Sequence, residues 1–145
     1  MKILLLLSAF LVFGKADWNT DFEKARRQAR SEHKSILINF SGSDWCGPCI
    51  RLHKEVFESQ AFQFFSGQSL VLVNADFPRL SKNRLSKVQQ KQNDLLADLY
   101  DPAGHFPYTV LLNEDGKVLA SWDGYASTTP EKFVEQLKAV INAGK

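Results

Sequence analysis

Cysteine is almost missing from this chain of 145 residues: there are two, Cys46 and Cys49, so a framework of several disulfides is excluded. Neither a second C-x-x-C nor an H-x₃₋₅-H pair is present, which makes a zinc site, with His33, His53 or His105 completing the cysteine pair, the poorer reading of it. A charge excess is lacking as well. Once residues 1–16 are set aside, with Lys2 and Lys15 among them, sixteen Lys and Arg balance sixteen Asp and Glu. Nothing therefore points to nucleic acid or an anionic membrane as a partner. No internal repeat and no low-complexity tract is visible. The longest apolar run, Ile3 to Phe13, is eleven residues interrupted only by Ser8, well short of the roughly 20 that a membrane-crossing helix needs.

That run is better read as an export signal. Lys2 supplies a basic start, and Gly14-Lys15-Ala16 offers small residues around a cleavage point expected after Ala16. No cysteine follows to receive a lipid. Residues 17–145 are then long enough for one domain with a proper core and too short for two. Export, most naturally to a periplasm and otherwise into the medium, places Cys46 and Cys49 where disulfides form and persist. A bond between them closes a very short loop and restrains the unfolded chain little, so exchange chemistry explains the pair better than a structural staple does.

Along the domain, Thr20-x-x-Glu23 has the form of a capping box and opens an amphipathic helix to His33 with Phe22, Ala25 and Ala29 on one face. Ser35 to Phe40 and Leu70 to Asn74 read as strands buried on both faces. Between them a helix starts at Cys46 or Gly47, with Pro48 tolerated in its first turn, and runs through Leu52, Val56 and Phe57; a shorter helix is expected near Gln60 to Phe65. A later helix carries Leu95, Leu96, Leu99 and Tyr100 as its expected packed face. Tyr108 to Leu112 and Lys117 to Trp122 form a hairpin across Asp115-Gly116. The last helix has Thr129 as N-cap, Pro130 in its first position and Phe133, Val134, Leu137, Val140 and Ile141 on one face. The element order implies an α/β domain with a mixed sheet of about four strands covered by helices on both faces.

With Trp45-Cys46-Gly47-Pro48-Cys49 between the first strand and its helix, and a hairpin introduced by Phe106-Pro107, the chain resembles the thioredoxin superfamily over roughly residues 20–143. The stretch Ser41-Gly42-Ser43-Asp44 before Trp45, with Asp115-Gly116-Lys117 and Gly124-Tyr125, is most similar to its exported bacterial members. The resemblance implies a thioredoxin fold and a thiol-disulfide oxidoreductase in which Cys46 attacks and Cys49 resolves. Trp45, Gly47 and Pro48 complete the motif, Gly-Pro being associated with the reducing end of the range. Pro107 corresponds to a cis-proline, and the backbone at Phe106 to the place where a substrate strand pairs. No metal or organic cofactor is implied. The implied partners are exported proteins with disulfides or thiols and a membrane-borne thiol donor. A disulfide oxidase or isomerase, or a module that only holds unfolded or cysteine-containing proteins, are the alternatives. There is no sign of oligomerisation, so a monomer is expected.

The chain departs from cytoplasmic thioredoxin in two places. Asn39 stands where the family has a buried aspartate, allowing one extra loop residue, and Leu72 stands where it has a lysine. Asp44, Glu55, His53 or water are left as proton acceptors for Cys49, and a solvated helix position is the plainer reading of His53. Trp18 and Trp122 read as packing residues. Arg79, Lys82, Arg84, Lys87 and Lys91 form a run without acids, which reads as a solvated loop and helix face rather than a docking site for an acidic partner.

Overall fold

The computed structural model describes residues 15–144. The expected export signal at 1–16 thus lies, but for its last two positions, outside the described residues, among which no helix is long and apolar enough to cross a membrane.

The sheet has five strands rather than about four, in the order β1-β3-β2-β4-β5. Strands β2 (Ser35–Ser41) and β3 (Leu70–Asp76) run parallel in register from Ser35 opposite Leu70 to Ser41 opposite Asp76. On the other side of β2, β4 (Tyr108–Leu112) pairs antiparallel and continues through a tight turn, with Gly116 at φ 88°, into β5 (Val118–Asp123). The extra strand is β1 (Trp18–Asn19), parallel to the outer edge of β3. Two residues are too few to show an alternating pattern. What pins β1 is tertiary: the Trp18 ring lies 5.0 Å from that of Phe57, and Asn19 Nδ2 donates to the Leu72 carbonyl at 3.1 Å.

Alternation along the strands feeds two cores. Leu37, Leu72 and Leu111 face helices α2 (Gly47–Leu52), α3 (Gln60–Ser69) and α5 (Pro130–Ala143), meeting Leu52, Phe62, Phe65, Phe133 and Leu137. Ile36, Ile38, Phe40, Val71, Val73 and Val110 face α1 (Phe22–Glu32) and α4 (Lys87–Tyr100), meeting Ala25, Ala29 and Leu96. Thr129 caps α5 as expected, its hydroxyl accepting from the Lys132 N–H at 3.2 Å.

Two local expectations are corrected. Asp21, not Thr20, is the N-cap of α1 and accepts the Lys24 N–H at 3.0 Å, while Glu23 pairs with Arg26 instead of reaching back. Aspartate caps at least as well as threonine, so the start moves by one residue without loss. On α4, Leu95 and Leu99 are 54% and 71% exposed, and Asn93, Leu96, Ala97 and Tyr100 face the sheet. Asn93 sets that phase: its amide donates to the Asp76 carbonyl at 2.9 Å and its oxygen accepts from Gln89 at 2.9 Å. A buried polar side chain that satisfies a strand-end carbonyl outweighs the solvation of two leucines.

Candidate active site

At the end of β2 the chain turns sharply before α2. The Trp45 and Cys46 N–H groups both reach back to the Gly42 carbonyl, at 3.3 and 2.9 Å. Gly42 is required by close approach: a Cβ there would come within 2.6 Å of Trp45 Nε1 and Cζ2. Cys46 is the N-cap of α2 in extended conformation, and its Sγ accepts the Cys49 N–H at 3.3 Å. Cys46 and Cys49 are joined in a disulfide, with Cα atoms 5.2 Å apart. Both sulfur-bearing residues are buried, and Gly47 and Pro48 between them face solvent. The helix does not stop at Leu52 but passes into a π-helical turn, His53–Phe57, which drives Val56 and Phe57 into the core.

Across from this turn, the Phe106–Pro107 peptide bond is cis, in keeping with the resemblance. Phe40 pairs with Tyr108, so the start of β4 and the end of β2 share one end of the sheet. Trp45 and Phe106 meet edge to face at 5.5 Å, and Phe77 meets the same Phe106 ring at 5.4 Å. Trp45 Nε1 donates to the Phe77 carbonyl at 2.8 Å, and the Arg79 guanidinium lies 3.6 Å over the Trp45 ring. Cys46 and Pro107, each next in the chain to one of these aromatics, are thereby carried to the same end of the domain. Phe77 and Arg79 were not placed at this site from the sequence, because the contacts join segments far apart in the chain and leave no local pattern.

The charged groups named as proton acceptors are engaged elsewhere. Asp44 accepts from the backbone N–H groups of Arg79 and Leu80, at 2.9 and 3.0 Å, and from Asn83 Nδ2 at 3.0 Å. The Arg79 hydrogen bond above all, then that from Asn83, holds its carboxyl below the usual range. His53 Nε2 lies 3.4 Å from Glu58, and Glu55 accepts from the Tyr125 hydroxyl at 2.6 Å. Burial, with that carboxylate beside it, pushes the Tyr125 phenol up to about 12. Buried Asn39 donates to Thr109 Oγ1 at 3.1 Å, and Leu72 lies in register with Leu37 inside the core. The three histidines pair with Glu114, Glu58 and Asp123, and none joins the cysteines.

One further residue was missed. Asp101 ends α4, is 3% exposed, and accepts the His105 N–H at 3.0 Å, which ties down the segment leading to Phe106. Burial raises its carboxyl above the usual range. The Asp101-Pro102 step after a helical run was the available signal.

The shift at Asp44 carries a pH prediction. A carboxyl whose folded value is depressed stabilises the fold above its unfolded value, near 3.9, and loses that contribution as pH falls through the folded value. Asp44→Asn is expected to lower the melting temperature at neutral pH and to flatten its decline under acid. Thermal melts of both proteins between about pH 7 and pH 2 check this; parallel curves would remove Asp44 from the account.

Residues 22–141 match the family described as the thioredoxin-like domain. The chain is 32% identical over 120 residues to "Disulfide bond reductase DsbH" of Chlamydia pneumoniae, a match that covers 83% of this chain and 70% of that protein. A solved structure described as "DsbH Oxidoreductase" is similar with a TM-score of 0.81 and 27% identity, over 98% of this chain and 95% of that one. A thioredoxin from Thermus thermophilus, 14% identical with a TM-score of 0.66 over 88% of each chain, shares the fold.

Proposed function

Since the chain belongs to the thioredoxin-like family of thiol-disulfide oxidoreductases, we propose that it is an exported protein-disulfide reductase working through Cys46 and Cys49. The observation that carries this is the capping geometry. Cys46 Sγ sits at the start of a helix and faces the Cys49 N–H at 3.3 Å. Unpaired N–H groups and the positive end of the helix favour thiolate over thiol there, and the thiolate is the attacking species.

In the reducing direction the Cys46 thiolate attacks one sulfur of a substrate disulfide, and the other substrate sulfur leaves as a thiolate. Cys49 then attacks Cys46 Sγ in the mixed disulfide and releases the second substrate sulfur. Two electrons pass to the substrate, two protons from solvent complete its thiols, and the protein is left with the Cys46–Cys49 disulfide. Trp45 shapes the approach, and the backbone at Phe106 before cis-Pro107 pairs with the incoming strand. With Asn39, Asp44, Glu55 and His53 bonded elsewhere, Cys49 exchanges its proton with water. The two sulfurs carry both electrons, so no cofactor takes part. Renewed turnover draws two electrons from a thiol donor, for which a membrane-borne relay is the fitting class. Cleavage after Ala16 delivers residues 17–145 to the periplasm as a monomer.

Titration of the Cys46–Cys49 couple against defined thiol/disulfide buffers tests the direction. We expect a potential near or below about −230 mV, with the thioredoxins; a value near about −120 mV would make the protein an oxidant of folding chains instead.

A further inference from the structure

We propose that the loop and helix start carrying Arg79, Lys82, Arg84, Lys87 and Lys91 form a docking edge for acidic segments of protein substrates, seated beside the Cys46–Cys49 disulfide. This deepens the reductase reading and rests on it for the nature of the partner. Taken from the sequence alone, the run was a solvated face; its placement changes that.

The charge is segregated. Residues 17–145 hold sixteen cations and sixteen acids, yet residues 77–93 hold five of the cations and none of the acids. All five are exposed, and none enters an ion pair among the described residues. Two carboxylates at the active-site end of the run are already occupied. Asp44 accepts from two backbone N–H groups and Asn83, and Asp76 from Ser43 and the Phe77 N–H.

The edge is also fixed in place next to the reacting sulfurs. Arg79 stacks on Trp45, the residue before Cys46, and the Asp44 hydrogen bonds hold the chain from Arg79 to Asn83 against the active-site turn. Backbone that is already held in place loses less entropy on binding than a mobile loop does. Exposed Leu80 and Val88 lie among the cations and offer apolar contact.

Helix α4 adds a local conflict that points the same way. Its first turn holds Lys87 and no acid, whereas the first turns of α1 and α5 hold Glu23 and Glu131. A lysine at the positive end of a helix is unfavourable for folding. An acidic partner would relieve both the helix end and the unpaired cations, and charge complementarity of this kind raises association rates and selects partners.

The test measures binding apart from redox chemistry. A dye-labelled peptide with Asp and Glu flanking a Ser in the cysteine's place is compared with its Asn/Gln counterpart by fluorescence anisotropy, on the wild type and on K82E/R84E/K87E, whose fold is checked by circular dichroism. We expect the acidic peptide to bind about tenfold more tightly at low salt, the preference to fade as salt rises, and the triple variant to lose it. Equal binding of the two peptides by the wild type, or an acidic preference that survives the charge reversal, overturns the proposal. Reaction of the reduced wild type with a small aromatic disulfide reports on the redox reading separately. Failure there with peptide discrimination intact sinks the reductase and leaves the docking edge standing; brisk exchange with equal peptide binding does the reverse.

Discussion

Serine in place of Cys46 is expected to slow reduction of a protein disulfide by at least about a thousandfold, because a hydroxyl at this position has neither the thiolate population nor the nucleophilicity of the sulfur it replaces. Cys49→Ser should behave differently. Its Cys46 thiolate still attacks, but nothing resolves the product, so a mixed disulfide with the substrate should accumulate and be visible by mass spectrometry without reductant. The pairing of outcomes follows from the cap: Cys46 Sγ faces the helix N–H groups, and Cys49 lies one turn inside with its own N–H aimed at that sulfur. Full function in cells of a Cys46→Ser variant that no longer reduces disulfides would favour a module that binds partners without turnover. Trapping through Cys49 rather than Cys46 would reverse the assigned roles.

The largest effect on stability is expected at Phe57. It is 1% exposed and lies at the centre of an aromatic cluster, with ring centroids 5.0 Å from Trp18, 4.9 Å from Phe62 and 6.3 Å from Phe133. Truncation to alanine removes most of a large buried side chain and leaves a cavity that three neighbouring rings cannot close, at a cost of about 3–5 kcal/mol. Against a total stability of about 5–15 kcal/mol, that is a large share. The denaturant midpoint of Phe57→Ala should fall accordingly with an unchanged slope. A loss below about 1 kcal/mol would mean that the cluster collapses around the gap and does not anchor the helix that carries the cysteines.

How much could be read in advance depended on whether the cause was local. Strands β2 and β3 announced themselves because both faces are buried and the apolar runs are nearly continuous, and β4 did so through the Asp115-Gly116 turn that follows it. The start of α5 did so because Thr129 and Pro130 are a cap and a first turn by their own chemistry. The cysteine pair was legible for the same reason, since five consecutive residues, Trp45 to Cys49, hold the whole motif. The phase of α4 was not, because Asn93 is set by a carbonyl at the end of β3 and not by its helical neighbours. Strand β1 was hidden in two residues whose partners lie on β3. The aromatic and cationic surroundings of the disulfide were the least legible: Trp45, Phe77, Arg79 and Phe106 come from three separate segments, and only the folded sheet brings them together.

The short strand β1 has a consequence for how these molecules behave in crowded surroundings. Where it pairs, it covers part of the outer side of β3, whose residues Leu70 to Val73 are apolar and richly β-branched. Such a strand, if its outer side were bare along its length, would template pairing with another copy, and sheet proteins guard against this with edges too short to extend. Trp18 and Asn19 supply such an edge, locked by a partly buried indole packed against the core and an amide on the Leu72 carbonyl. Two residues that contribute little to the area of the sheet therefore help to keep one molecule from fusing with the next.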